Sequence, residues 1–170
     1  EAVVGNVPYS QDIKFDLAGR TLPVHDYFIL RSLEAVRPGG VVAVLTSRYT
    51  LDKADPFSRR LMAGAADLVG CVRLPEETFR AQAGTDVVSD ILVFQRRAGD
   101  VPAPEADPLW VATVESGTGR PVNAWVAAHP EAVVGQTAVV SGPFGPDITV
   151  RSGLDAEAIG AVAQGLLSDQ

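Results

Sequence analysis

Apolar residues recur along the chain in short runs whose spacing alternates between strand and helix periods. Residues 2–5 form a short apolar run that stops at a polar turn, Asn6-Val7-Pro8-Tyr9-Ser10. The polar stretch that follows, to Pro23, reads as a loop. Over residues 25–37, Ile29, Leu33 and Val36 share one face while Asp26, Arg31 and Glu34 point away, which predicts an amphipathic helix. Pro38-Gly39-Gly40 ends it. Residues 41–45 are unbroken apolar and mostly β-branched, the pattern of a strand covered on both faces in a parallel sheet. Asp55 stands as an N-cap with Pro56 at the first position of a helix that reaches residue 65. Residues 68–73 predict the next strand, stopped by Leu74-Pro75. A loop with Phe79 and Gly84-Thr85 leads to another strand at 90–96.

Strands separated by helices predict an α/β fold with a Rossmann-like doubly wound sheet over residues 1–97. Residues 98–108 hold Gly99, Pro102, Pro104 and Pro108 among acidic side chains and read as a linker. Residues 109–170 then form a smaller mixed α+β extension. Within it 109–114 reads as a strand and 122–128 as a short helix closed by His129-Pro130. Residues 137–141 and 147–151 read as a hairpin with a loop longer than two residues, and 154–167 as an amphipathic helix. No internal repeat is present.

The balance of 46% apolar and 21% charged residues is that of a globular protein and argues against disorder. No apolar run approaches the ~20 residues of a membrane helix. The start of the chain has neither Met nor a basic segment, which reads as an excised piece without a signal peptide. The single Cys71 forms no internal disulfide and suits a reducing, cytoplasmic compartment. The formal charge of −7 is unevenly spread. Residues 1–47 carry four basic and five acidic side chains, 48–97 eight and seven, and 98–170 two and nine. The near-neutral first part therefore tolerates a phosphate contact that the acidic last part resists.

The turn after the first strand is the most informative chemistry. Ligands of open α/β sheets bind beyond the carboxyl ends of strands. There Asn6 offers an amide acceptor, the Val7 backbone a second, and Tyr9 a flat ring, on a turn stiffened by Pro8. Two acceptors beside a stacking face suit a planar group bearing an amino substituent, such as adenine.

This segment resembles the [Asn/Asp/Ser]-Pro-Pro-[Tyr/Phe/Trp] motif of N6-adenine DNA methyltransferases. Later landmarks fall in the family's order: 37–46 (Arg-Pro-Gly-Gly-Val-Val-Ala-Val-Leu-Thr), 68–75 (Leu-Val-Gly-Cys-Val-Arg-Leu-Pro), Phe79, Thr85 and 90–94. The wording is nearest to the large methylase–helicase proteins of phages and mobile elements, where Asn-Val-Pro-[Tyr/Phe] replaces Asn-Pro-Pro-Tyr. In that group residues 123–135 and 141–146 also have counterparts, so the resemblance spans residues 1–150. It implies a flipped-out adenine whose amino group donates to the Asn6 side chain and the Val7 carbonyl, Tyr9 stacked on the base, and Phe79 closing the pocket opposite. It implies S-adenosylmethionine as methyl donor, DNA as partner, and possible linkage to a helicase in a longer chain. One departure matters. The family's Gly-rich cofactor turn precedes the catalytic turn, and only five residues precede Asn6 here. The expectation is the catalytic half of a methyltransferase, inactive without its N-terminal half and with an edge or apolar face for that half to cover.

Other candidates carry less. Arg48 follows the 41–45 strand at the substrate-facing end and is a phosphate contact or the member of a surface ion pair. His25 and His129 lack partners spaced for a metal, so no metal is expected. Ser47 and Ser141 lack a nucleophile elbow. Gly117-Thr118-Gly119 is a weak cofactor turn. Cys71 reads as an inert core residue, and Trp110 and Trp125 as packing anchors. The competing assignments are a non-catalytic interaction module built on the same half-sheet, or methylation of an RNA adenine or a protein Gln.

Overall fold

In a computed structural model that describes residues 1–8, 14–17, 19–80, 87–142 and 145–168, two apolar runs pair first. Strand β1 (Ala2–Asn6) lies parallel to a later strand, β4 (Val41–Ser47), in a register that sets Asn6 opposite Leu45. Between them come a hairpin of β2 (Lys14–Leu17) and β3 (Arg20–Pro23) and then helix α1 (Val24–Ala35). After β4 come a single turn α2 (Tyr49–Asp52), helix α3 (Phe57–Ala65) and strand β5 (Ala66–Leu74). Strand β6 (Ser89–Arg96) returns antiparallel between β4 and β5, giving the order β1-β4-β6-β5.

The α/β class agrees with the sequence; the direction of the strands does not. Only β1 and β4 run as an adjacent parallel pair, so the sheet is mixed rather than a doubly wound parallel one. An unbroken apolar run reports burial on two faces, and a mixed sheet provides that equally well. The 14–23 stretch, read as loop, forms the β2–β3 hairpin, whose Phe15 and Leu17 are half-buried beneath buried Leu22. Local capping follows the sequence more closely. The Asp55 carboxylate accepts the Phe57 N–H at 3.0 Å, although Pro56 stands just before rather than inside the helix.

Helices α1 and α3 cover one face of the sheet. Ile29, Leu33 and Met62 pack on Val42, Val44, Leu92 and Phe94 in one apolar core. The following segment joins that core through Trp110, Val111 and Val126, with Trp110 edge-on to Phe94 at 5.7 Å between ring centres. Residues 109–111 make a 3₁₀ turn where a strand was expected, and β7 (Thr113–Glu115) pairs with β8 (Pro121–Asn123) after it. Helix α4 (Ala124–Ala128) starts on Asn123, whose side chain accepts the Trp125 N–H at 3.0 Å. Strands β9 (Gln136–Gly142) and β10 (Gly145–Arg151) pair up to Gly142 opposite Gly145, so the hairpin connection is two residues, shorter than expected. Helix α5 (Ala156–Ser168) lies on the second face, where Ile159 and Ala163 pack on Val72 and Leu74. That face stays open over β1, where Val4 is 80% exposed. No helix among the described residues is long and apolar enough to cross a membrane.

A buried ionic cluster ties these parts together at the carboxyl ends of β4 and β5. Arg73 forks between Asp90, at 2.8 and 2.9 Å, and Asp52, at 2.9 and 3.0 Å. Burial opposes the charge on Arg73, but Asp90 and Asp52 outweigh it and raise its pKa above the ordinary value. Asp52 also accepts the Asn123 backbone N–H at 2.9 Å. Asn123 in turn donates its amide to the carbonyls of Trp110, at 2.7 Å, and Leu51, at 3.2 Å. Fully buried Arg59 donates to the Val111 carbonyl at 2.8 Å. Removing one partner of such a cluster leaves buried charge uncompensated. We therefore expect Asp52→Ala to destabilise the fold by about 3–5 kcal/mol, read by urea unfolding. Arg31→Ala, which breaks an exposed pair with Glu34 on α1, should barely move the midpoint.

Candidate active site

The turn after β1 is anchored by the strand pairing that precedes it. The Val7 N–H donates to the Leu45 carbonyl at 3.0 Å, carrying the ladder one residue beyond the strand. The Val7 side chain is buried in the main core, while Asn6 and Pro8 on either side are exposed. The chain is thus pinned at Val7 and lifts Asn6 to the surface at the end of a parallel strand. Among the described residues the Asn6 amide has no protein hydrogen-bond partner, so its carbonyl oxygen is available to an incoming N–H donor. Tyr9, and Gly84-Thr85 of the later loop, lie outside the described residues.

Phe79 ends a 3₁₀ turn (Glu76–Phe79) that follows β5 and is half-buried. It lines a groove of about 620 Å³ together with Gly5, Leu45, Leu74, Ile91 and Ile159. The fold therefore brings Phe79 to the groove that reaches the residue before Asn6, from 74 positions away in sequence. Arg48, the other candidate substrate contact, starts α2 with a side chain only 7% exposed. It donates to Asp52 at 3.1 Å and to Asp147 at 2.7 Å, and lies 3.1 Å from the Tyr49 hydroxyl. Burial opposes its charge, but Tyr49, Asp52 and Asp147 together raise its pKa above the ordinary value.

The remaining candidates have local roles. His129 stacks on Trp125 at 4.1 Å and engages the Trp125 carbonyl through Nδ1 at 2.8 Å. Ser47 accepts the Tyr49 N–H at 3.3 Å. Cys71 is buried in β5, where desolvation pushes its thiol pKa well up, which keeps it protonated and unreactive. Among the described residues no cluster of three or more His, Cys, Asp or Glu side chains is placed to hold a metal ion. Gly117-Thr118-Gly119 forms the tip of the β7–β8 hairpin, where the Ser116 N–H donates to the Arg120 carbonyl at 3.1 Å and Gly119 has φ +74°. It is a hairpin turn and not the strand-to-helix turn of a glycine-rich cofactor motif. The described residues thus offer acceptors for an amino group but no strand–glycine turn–helix cradle for the ribose and carboxylate of S-adenosylmethionine.

Sequence reasoning missed Arg73, Asp90, Asn123 and Asp147. A signal existed for the first two. Charged residues set into apolar strands, as in Val72-Arg73-Leu74 and Asp90-Ile91-Leu92, are found inside only when paired. The start of α1 near His25 agrees with the sequence, but Asp26 does not point away from the core as expected. Asp26 is fully buried and bonded to Lys53 at 2.8 Å, while its Oδ1 and both ring nitrogens of His25 have no hydrogen-bond partner among the described residues, His25 Nε2 lying 3.5 Å from that Oδ1.

No family model matches the chain. At 30% identity over 105 residues it is similar to the Defense against restriction protein B of Escherichia phage P1, a match covering 58% of this chain and 5% of that protein. The chain thus spans a small fraction of its curated relative's length. Among solved structures it is similar to a protein from Listeria monocytogenes assigned as a class I S-adenosylmethionine-dependent methyltransferase. That match has 21% identity and a TM-score of 0.46, over 62% of this chain and 34% of the other. It is also similar to a modification subunit assigned to a type I restriction enzyme of Vibrio vulnificus, at 17% identity and a TM-score of 0.48, over 73% of this chain and 37% of that one.

Burial fixes a pH dependence. Desolvation lowers the pKa of His25 below its ordinary 6.5; Asp26 works against this and Lys53 with it. Below pH 6.5 the unfolded chain takes up a proton that the folded one refuses, so stability is full above that pH and falls as pH drops towards the folded pKa. Urea unfolding between pH 6.5 and about 5 should show this loss, and His25→Gln should flatten it. A wild-type stability that stays level or rises as pH falls through this window would contradict the buried neutral imidazole.

Proposed function

We propose that this chain carries the base-binding part of an N6-adenine DNA methyltransferase. The observation that carries the reading is the anchored Asn6-Val7-Pro8 turn, whose Asn6 amide no described residue engages, at the end of β1 with Phe79 on the adjoining groove. The sequence resemblance of the turn and of the landmarks after it supports the same reading. In it, adenine leaves the duplex at the cost of a few kcal/mol of lost stacking. Its amino group donates one N–H to Asn6 Oδ1 and the other to the Val7 carbonyl. Two acceptors fix the amino nitrogen and hold its lone pair in the direction of attack. Tyr9 stacks on one face of the base, and Phe79 limits the pocket from the far side.

S-adenosylmethionine supplies the electrophilic methyl group when bound. The contribution this reading assigns to the chain is to bind and orient the acceptor. Val7 is well suited to a place where only a backbone carbonyl is required: its side chain is spent on the core, which fixes that carbonyl without a second proline.

The test is Asn6→Ala in the full-length protein. Methyl transfer to adenine should fall by about a hundredfold or more, with an unchanged unfolding midpoint, because Asn6 is exposed. Transfer at the wild-type rate would remove Asn6 from the mechanism.

A further inference from the structure

Arg48 sits between two carboxylates that are not equivalent. Asp52 is 1% exposed and already serves two Arg73 nitrogens and the Asn123 N–H. Asp147 is 22% exposed and sits on β10, 99 residues away in sequence. It also accepts the adjacent Ile148 N–H at 2.8 Å, lies 3.4 Å from the Tyr49 hydroxyl and feels the charge of Arg120. Inside the cluster, Arg48 and Arg73 pair with Asp52 and Asp90, and fully buried Arg59 also feels Asp52. Asp147 is the outermost and most exposed of the three carboxylates, at the rim of the cluster. Another oxyanion in its place leaves the inner pairs unchanged.

The surroundings suit a strand phosphate. The Arg48 guanidinium carbon lies 4.5 Å from the centre of the Tyr49 ring, which is itself 46% exposed. Arg48 is three residues beyond Leu45, the partner of Asn6 in the β1–β4 pairing, so this edge belongs to the end of the sheet that carries the turn. A guanidinium presents its N–H groups as a fork that fits a carboxylate and a phosphodiester alike. We propose that the outer edge of Arg48, with Tyr49, is a phosphate-binding position of the nucleic-acid surface, and that Asp147 occupies it in the free protein. The proposal rests on the nucleic-acid reading above. A strand phosphate and the hairpin carboxylate then compete for Nη2 of Arg48, and binding frees β10 at this contact. The hairpin keeps its other anchors, since Thr149 and Arg151 both bond Glu76.

The experiment measures binding of a short fluorescein-labelled adenine-containing duplex to the full-length protein by anisotropy. Asp147→Asn removes the competing charge while keeping the side-chain shape, and should tighten binding about three- to tenfold, a gain that shrinks as salt rises. Thr149→Val loosens the hairpin at Glu76 without touching Arg48 and should bind as the wild type does. Amide hydrogen exchange over β10 should quicken when the duplex is added to the wild type, and inorganic phosphate at equal ionic strength should not produce that change. An unchanged affinity in Asp147→Asn, an equal gain in Thr149→Val, or unchanged exchange over β10 overturns the competition. The same exchange change with inorganic phosphate overturns the assignment to a strand. Failure of the wild type to bind any duplex removes the nucleic-acid reading and this proposal together, whereas wild-type binding with a silent Asp147→Asn removes this proposal alone.

Discussion

Arg73, buried at the end of β5 and clasped by Asp52 and Asp90, is the contact on which the arrangement of the functional end depends. Desolvating a guanidinium is costly, and only a complete set of acceptors offsets the loss. The acceptors come from two separate places: the turn after β4 and the start of β6. Satisfying one side chain therefore sets where β4, β5 and β6 end relative to one another. The backbone carbonyl of Arg73 also accepts the Val134 N–H at 2.9 Å, which seats the segment leading to β9. One residue thus positions sheet and hairpin at the same edge.

The candidate active site takes its stiffness from this edge and from the β1–β4 pairing. Asn6 is held by the register with Leu45, and Leu45 lies in the strand whose continuation supplies Arg48 and Asp52. Phe79 follows Arg73 by six residues, on a turn in which the Thr78 hydroxyl bonds back to the Pro75 carbonyl. A base held by Asn6 and Val7 and bounded by Phe79 would sit among groups whose positions derive from one buried network. Such pre-organisation is what a transfer reaction that relies on orientation requires. The groove lies on the face that α5 partly covers, and it reaches the exposed Val4 on β1.

What the sequence makes legible is local. The turn at Asn6 could be read because strand end, proline and acceptors lie within four residues. The Asp55-Pro56 start of α3 and the apolar run of β4 are equally self-contained. Strand direction was not legible, because burial on two faces does not depend on it. The β2–β3 hairpin left a trace in the alternation of Phe15, Leu17 and Leu22, with Gly19 at φ +75° between the strands, but polar neighbours hid it. The ionic cluster was the least legible feature. Its members come from positions 48, 52, 73, 90, 123 and 147, and only the folded chain makes them neighbours. Arg48 illustrates the consequence. Its place after β4 could be read from sequence, whereas its engagement by Asp147 could not.

The most direct test of the account is where a labelled methyl group ends up. The full-length protein would be incubated with S-adenosylmethionine labelled in the methyl group and with unmethylated DNA, and the DNA digested to nucleosides. The account predicts label in N6-methyladenine. Label in cytosine, in protein or in RNA alone, or no transfer to DNA of varied sequence, would contradict it.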